Sequence, residues 1–144
     1  MICFLGLLSL LGEFMEDELS RILLNRGLAK LGDSLVNFIY SAAKSRVLSG
    51  FYGERVSNRV LSEALCRVGL KGRLPLRSDV HVRSNAAEAL IAYAWVNGLL
   101  SVDEAVDLLA SNLRLFEGIS RRGEWEAAVN AFTELLRYIL EVFQ

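Results

Sequence analysis

Apolar residues recur three and four positions apart along nearly the whole chain, which is the period of one face of an α-helix. Runs that alternate apolar and polar residues, the pattern of half-buried strands, do not occur in the sequence. Of the 144 residues, 53% are apolar and a single one is proline, so helices with short connections can enclose a real core. The pattern therefore predicts a single all-α domain.

The first 14 residues stand apart from the rest of the chain. Residues 2–11 are apolar, but they are only about half as long as a helix that spans a bilayer. No basic residue precedes them and no small-residue cleavage site follows, so a signal peptide is not expected. Met15 opens a better helix start, with acidic residues in its first turn. We interpret residues 1–14 as an extension, either upstream of the native start or an added packing helix, and residues 15–144 as the domain of a cytoplasmic protein.

Caps and breaks divide the domain into helices. The segments predicted to be helical are 16–24, 28–48, 57–68, 85–96, one that starts at Ser101, and 124–143. Ser57 is a predicted N-cap, Gly69 and Gly98 are predicted stops, and Ser101 with Glu104 is a predicted capping box. Residues 71–84 form the least regular segment and contain the proline.

Two helices carry clear apolar stripes that are predicted to face the core. In the second helix the stripe is Leu28, Leu31, Leu35, Phe38, Ile39 and Ala42. In the last helix it is Trp125, Val129, Phe132, Leu136, Ile139 and Leu140. The aromatic residues at helical spacing are interpreted as core or as an interface between copies, not as surfaces for base stacking: Phe38, Tyr40, Trp95, Trp125, Phe132 and Tyr138.

Charge and cysteine usage narrow the possible functions. A net charge of −1 excludes a polycation, so any affinity for nucleic acid must come from a local basic patch. Within 17 positions that hold a single acid, Asp79, there are five cations: Arg67, Lys71, Arg73, Arg77 and Arg83. They form either a contact surface for a nucleic-acid backbone or an ordinary solvated surface.

Cys3 and Cys66 match no metal-ligand spacing and are interpreted as reduced and buried. His81 is the one histidine of the sequence, which excludes histidine-rich metal chemistry.

The most informative segment is LAKLGDSLVNFIYS, residues 28–41. A glycine inside a helix costs about 1 kcal/mol relative to alanine, so Gly32 needs a reason such as close packing. Asp33 follows it within an otherwise apolar helix, where a carboxylate is unfavourable unless it is paired or bound to a cation. The segment NAAEALIAYAW, residues 85–95, then brings Asn85 and Glu88.

These segments together resemble the catalytic domain of ribonuclease III. That family has a signature of the form NERLEFLGDAVL and, downstream, an Asp-x-x-Glu pair in an ADxxEALIGA-like helix. The segments GERVSNRVLSEALCRVGL and NGLLSVDEAVDLL are also similar to the family, so the resemblance covers about residues 15–109. The sequence closely resembles the short archaeal members that lack a separate double-stranded-RNA-binding domain. The resemblance implies a helical domain that forms a homodimer and cleaves double-stranded or structured RNA in RNA processing.

Two positions match the acidic metal ligands of the family. Asp33 matches the aspartate of the LGD signature and Glu88 the glutamate of the downstream pair, so the resemblance implies catalytic and metal-binding roles for both. Asn85 stands where the family has aspartate and is expected to be a weaker auxiliary ligand. The resemblance implies Mg²⁺, or Mn²⁺, as the cofactor that acts on the phosphate. It also favours RNA contact by the five cations of residues 67–83.

The sequence departs from the family pattern at four positions. Arg26 and Ala29 replace the two glutamates of the signature, Lys30 replaces the phenylalanine before LGD, and Asn85 replaces the aspartate. A weakened or absent metal site is expected, because hard cations need anionic oxygen. Three other side chains could compensate if they reach the site: Glu54, Asp79 and His81.

Structural alternatives exist for each predicted ligand. Asp33 could instead be satisfied by Arg26, Lys30 or Asn37 on the same helix. Asn85 and Glu88 have the spacing of a capping box at a helix start. The functional alternatives to a nuclease are a degenerate dimer that binds double-stranded RNA or scaffolds a partner, and a helical interaction domain with no role in RNA.

Overall fold

The computed structural model describes Gly6, residues 18–114 and residues 121–143, and within these parts there is no strand. The all-α prediction is confirmed. The elements are α1 (residues 18–23), α2 (Arg26–Leu48), α3 (Asn58–Arg67), a 3-10 turn (Lys71–Arg73), α4 (Val80–Val96), α5 (Val102–Leu113) and α6 (Arg121–Phe143). Apart from Gly6, the predicted extension over residues 1–14 lies outside the described residues, as does Cys3.

Helix α4 is the centre of the domain. It packs against α2, α3 and α6, and nine of its residues are buried on all sides of the helix. A helix that is apolar all round can only be stable inside the protein. Most of the buried positions are alanines, which let the neighbouring helices approach closely, while Leu90 and Ile91 are fully buried in the same core as Phe132 of α6.

The contact between α2 and α4 is made by backbone at Gly32. A Cβ atom added there would lie 2.0 Å from the carbonyl oxygen of Glu88 and 2.9 Å from its Cα. No side chain fits at this distance, which gives the physical reason for a glycine in the middle of a helix. The crossing fixes Asp33, the next residue of α2, beside the middle of α4.

The buried face of α2 differs from the predicted stripe. The residues that face the core are Ala29, Gly32, Val36, Ile39 and Ala43, whereas Leu31 and Phe38 are exposed, Phe38 to 59%. Ile39 is fully buried and Leu28, Leu35 and Ala42 are partly buried against the core, so the prediction is confirmed for these four residues and wrong for Leu31 and Phe38. The close crossing with α4 places Ala29 and Gly32 on the core face, whereas Leu31 and Phe38 lie on a face that points away from the core.

The start of α4 also differs from the prediction. The helix begins at Val80, five positions before the predicted start, because the Asp79 carboxylate accepts a hydrogen bond from the backbone N–H of Val82 at 2.9 Å and acts as N-cap. Asn85 therefore lies in the second turn and caps nothing, and the capping-box alternative for Asn85 and Glu88 is wrong. Three positions apart within one helix, these two side chains share a face.

Several local predictions are confirmed. Ser57 caps α3 by accepting from the N–H of Arg59, and Ser101 and Glu104 form the capping box of α5. Gly69 and Gly98 follow α3 and α4 with φ of +83° and +73°, the left-handed conformation that glycine adopts most easily. Trp125, predicted to face inward, is 37% exposed near the start of α6. No helix among the described residues is long and apolar enough to cross a membrane.

Candidate functional site

A polar cleft of about 500 Å³ lies where the first turns of α2 and the start of α3 meet the second turn of α4. Its lining consists of Arg26, Ala29, Lys30, Asp33, Arg55, Asn58, Asn85 and Glu88. The structure thus brings together the three side chains proposed as ligands, Asp33, Asn85 and Glu88. Their convergence follows from the Gly32 crossing and from the shared face of positions 85 and 88.

Glu88 is the buried acid of this cleft, with 4% of its surface exposed. Burial raises the pKa of its carboxyl group above the ordinary value, and the negative charge of Asp33 raises it further, while Arg55 opposes both effects. The Oε1 atom of Glu88 lies 2.9 Å from the Ser84 hydroxyl, which favours the ionised form. The net balance favours the neutral acid more than in an exposed glutamate.

The Ser84 hydroxyl links Glu88 to two other polar side chains. Its Oγ lies 2.9 Å from Glu88 Oε1 and 3.0 Å from Asn58 Oδ1, and Asn58 Nδ2 lies 3.2 Å from His81 Nδ1. A hydroxyl has one proton to donate, so Ser84 donates to one of these two oxygens at a time. His81 is thus connected to the cleft through Asn58 but does not line it.

Asp33 is half exposed and has two polar neighbours. Arg55 Nη2 lies 3.5 Å from Asp33 Oδ2, and Asn37 donates to Asp33 Oδ1 at 3.4 Å. Of the three neighbours predicted for Asp33, only Asn37 contacts it. Arg26 and Lys30 line the cleft, and neither has an ion-pair or hydrogen-bond partner among the described residues.

Arg55 reaches the cleft because its loop, residues 50–57, is hydrogen-bonded along α2. The Ser41 hydroxyl accepts from the N–H of Glu54 at 2.9 Å and donates to its carbonyl at 3.0 Å. One turn later, the Ser45 hydroxyl accepts from the N–H of Tyr52 at 2.8 Å and donates to its carbonyl at 3.2 Å. Each hydroxyl therefore holds one loop residue by both of its backbone polar groups.

Asn37 extends this row of contacts towards the cleft. Its Oδ1 accepts from the N–H of Val56 at 2.7 Å, while its Nδ2 donates to Asp33. The polar side chains at positions 33, 37, 41 and 45 lie one turn apart, so they form a single stripe on α2 that fixes the loop in register. The stripe places the guanidinium group of Arg55 at the mouth of the cleft, and Arg55 keeps 81% of its side chain exposed.

The charges of the cleft do not fit a magnesium centre. Within the parts of the chain that the structure describes, no group of three or more His, Cys, Asp and Glu side chains is placed to hold a metal ion. Glu54 pairs instead with Lys44 at 2.8 Å, and Asp79 caps α4. Three cations face two carboxylates in the cleft, and one of these acids is already paired with Arg55.

The sequence that forms this cleft matches a known protein family. The family model for ribonuclease III matches residues 26–144, which is most of the chain. The chain belongs to the ribonuclease III family. No curated protein matches the sequence. The family match begins at Arg26, the first residue of α2, and includes every residue that lines the cleft.

The five cations of residues 67–83 differ in their contacts and in their exposure. Arg67 forms ion pairs with Glu63 and with Glu126 of α6. Arg83 is partly buried and donates to the Ser62 hydroxyl at 2.7 Å and to the Ser78 carbonyl. Lys71 and Arg77 are exposed, and Arg73 is half-buried. In this member of the ribonuclease III family, Lys71 and Arg77 are therefore the members of the group best placed to meet a ligand.

Sequence reasoning missed two residues of the cleft, Arg55 and Asn58. Asn58 is the first residue of α3, and its position after the recognised N-cap Ser57 was the available signal. Arg55 lies in an irregular loop without periodicity, and only its contacts with α2 bring it to Asp33. No pattern in the sequence of this ribonuclease III family protein marks that contact.

Proposed function

We propose that this protein binds double-stranded or structured RNA as a homodimer and does not cleave it by metal-dependent chemistry. The observation that carries the proposal is the composition of the cleft, in which cations stand where the family resemblance implies acidic ligands. Family membership supports RNA as the ligand, and the charges of the cleft argue against a bound Mg²⁺.

The charges of the cleft distinguish between its two possible occupants, a divalent cation and an RNA phosphate. A divalent cation would be repelled by Arg26, Lys30 and Arg55, and arginine stays protonated at any physiological pH. Two unit charges 4 Å apart interact by about 4 kcal/mol at an effective dielectric constant of 20, so a cation that came this close to a metal ion would oppose its binding. The same cations attract the phosphates of RNA, which supply much of the affinity in protein–nucleic acid complexes.

The homodimer is supported by four exposed apolar side chains of α2 and of the loop that follows it: Leu31, Phe38, Phe51 and Tyr52. A groove of about 740 Å³ runs between α2 and the loop of residues 50–57, and Phe38, Phe51 and Tyr52 line it. Exposed aromatic residues gathered on one face are typical of a protein–protein interface. We propose a second copy of the chain as the occupant of this groove, because the family resemblance implies a dimer.

Sedimentation equilibrium tests the homodimer. The wild type should be a dimer at micromolar concentration, and Phe38→Glu should be a monomer. A monomeric wild type would refute the proposal.

RNA binding and cleavage can be measured on the same duplex. We expect a labelled RNA duplex to be bound with strong salt dependence and to remain intact in Mg²⁺ and in Mn²⁺. Arg77→Ala should weaken binding, whereas Arg137→Ala, which removes the same charge from an α6 residue paired with Glu134, should not. Fragments with 5′-phosphate ends, lost in Asp33→Ala, would contradict the proposal.

Metal-dependent cleavage is the second candidate, and one observation favours it. Asp33, Asn85 and Glu88 all line one cleft, so a divalent cation would find two carboxylates and an amide there. Asn85→Asp adds a third carboxylate at a solvent-exposed position. If the cleft holds a weakened metal site, this variant should increase Mn²⁺ affinity in calorimetry and produce or raise RNA cleavage; under our proposal it does neither and lowers RNA affinity.

A further inference from the structure

We propose that the cleft is a phosphate-binding site in which Arg55, Lys30 and Arg26 contact a backbone phosphate of RNA directly, without a metal ion. This inference rests on the proposed function and specifies the group that the cleft recognises. It follows from the positions of the cations, from the unused donors in the cleft and from the two helices that begin there.

Arg55 provides the strongest part of the site. The contacts of its loop with Ser41, Ser45 and Asn37 hold its backbone, so a ligand has to order only the side chain of Arg55 and not the loop. Its contact with Asp33, at 3.5 Å, is longer than the 2.7–2.9 Å typical of a strong charge-assisted hydrogen bond. A guanidinium group has five N–H donors in a planar fork that matches a phosphate, so most of its donors are available.

Lys30 and Arg26 supply a second side of the site. They lie four positions apart on the first turns of α2, so both side chains face the cleft together. Neither is neutralised by another described residue. Both α2 and α3 begin at the cleft, at Arg26 and Asn58, and the first turns of helices carry partial positive charge that favours an anion.

The two asparagines complete the set of donors. Asn58 and Asn85 line the cleft, and an amide can donate to a phosphate oxygen where an aspartate would repel it. Asp33 then has a positioning role, since it holds Arg55 while competing with a phosphate for the same guanidinium group. A metal site and a phosphate site therefore predict opposite effects of removing the Asp33 charge.

The experiment measures binding of an RNA duplex by fluorescence anisotropy in EDTA, over a range of salt concentrations. We expect binding by the wild type to persist without metal. Arg55→Ala and Lys30→Ala should each weaken it about tenfold and lower the salt slope by about 1. Arg137→Ala is the matched control, with the same change in net charge outside the cleft, and should change affinity by less than about twofold. Asp33→Asn should strengthen binding, and circular dichroism should show that each variant is folded.

A second arm separates failure of this inference from failure of the proposed function. Inorganic phosphate, followed by thermal shift at constant ionic strength, should stabilise the wild type more than Arg55→Ala. RNA binding that is insensitive to Arg55→Ala and Lys30→Ala overturns the phosphate site and leaves the proposed function intact. Binding that requires Mg²⁺ and is lost in Asp33→Asn overturns it in favour of a metal site. Stabilisation by phosphate without any RNA binding supports the phosphate site and refutes the proposed function.

Discussion

Gly32→Ala tests whether backbone contact between α2 and α4 assembles the cleft. The added methyl group would lie 2.0 Å from the carbonyl oxygen of Glu88 and 2.5 Å from its carbonyl carbon. Ordinary contact between non-bonded heavy atoms begins at about 3.5 Å, so the two helices would have to separate by more than about 1 Å. The opposing atoms belong to the backbone of a buried helix and cannot rotate out of the way.

The free energy of unfolding should fall by about 2 kcal/mol or more. Overpacking in a core costs about 1–3 kcal/mol, and we expect the upper end because both sides of the clash are backbone. Alanine recovers up to about 1 kcal/mol through its higher helix propensity. The net loss is a large part of the 5–15 kcal/mol that is typical of a domain. Urea denaturation measures it as a lower midpoint at constant slope.

Gly27→Ala is the control within the same helix. A Cβ atom at Gly27 meets only the Asn25 side chain, at 3.4 Å, so the same chemical change should leave stability unchanged or raise it by up to about 1 kcal/mol. Wild-type stability in Gly32→Ala would refute the argument. Equal losses in both variants would also refute it, since they would show a general intolerance of α2 to alanine.

Three further predictions concern contacts around the core. Ser101→Ala should lower the free energy of unfolding by about 1 kcal/mol, because it removes the capping box of α5. Hydrogen bonds from the Ser101 N–H and the Tyr138 hydroxyl hold the pKa of Glu104 below its ordinary value of 4.5. The ionised carboxylate of Glu104 therefore contributes its full share of stability above pH 4.5, and this share is lost as the pH falls through the lowered pKa. The urea midpoint of Glu104→Gln should not show this loss at low pH. Arg83→Ala should cost about 1–2 kcal/mol in urea denaturation, because it leaves the buried Ser62 hydroxyl without its donor.

The sequence predicted well those features that depend on contacts between residues a few positions apart in the chain. Ser57 and Ser101 act as caps because their hydroxyl groups reach N–H groups two or three positions along the chain. Gly69 ends α3 because a left-handed residue is needed directly after the last turn. Gly32 was recognised as needing close packing, and the structure supplies the partner, the backbone of Glu88.

The features that the sequence could not predict depend on distant contacts. The crossing with α4 determines which face of α2 lies in the core, and it leaves Phe38 exposed. The true start of α4 was hidden because Val80 and Val82, both β-branched, weaken the helical pattern after Asp79. The approach of Arg55 to Asp33 requires a loop fixed by side chains from another helix.

The direction of the family departures favours an anion as the occupant of the cleft. Each of the four changes from the family signature makes the cleft more positive: Arg26 and Ala29 in place of glutamates, Lys30 in place of phenylalanine, and Asn85 in place of aspartate. Simple loss of a metal site requires only the removal of carboxylates, and it gives no reason for two new cations beside the remaining acids. The proposed phosphate site gives that reason, because each cation adds attraction for a phosphate and each missing carboxylate removes repulsion.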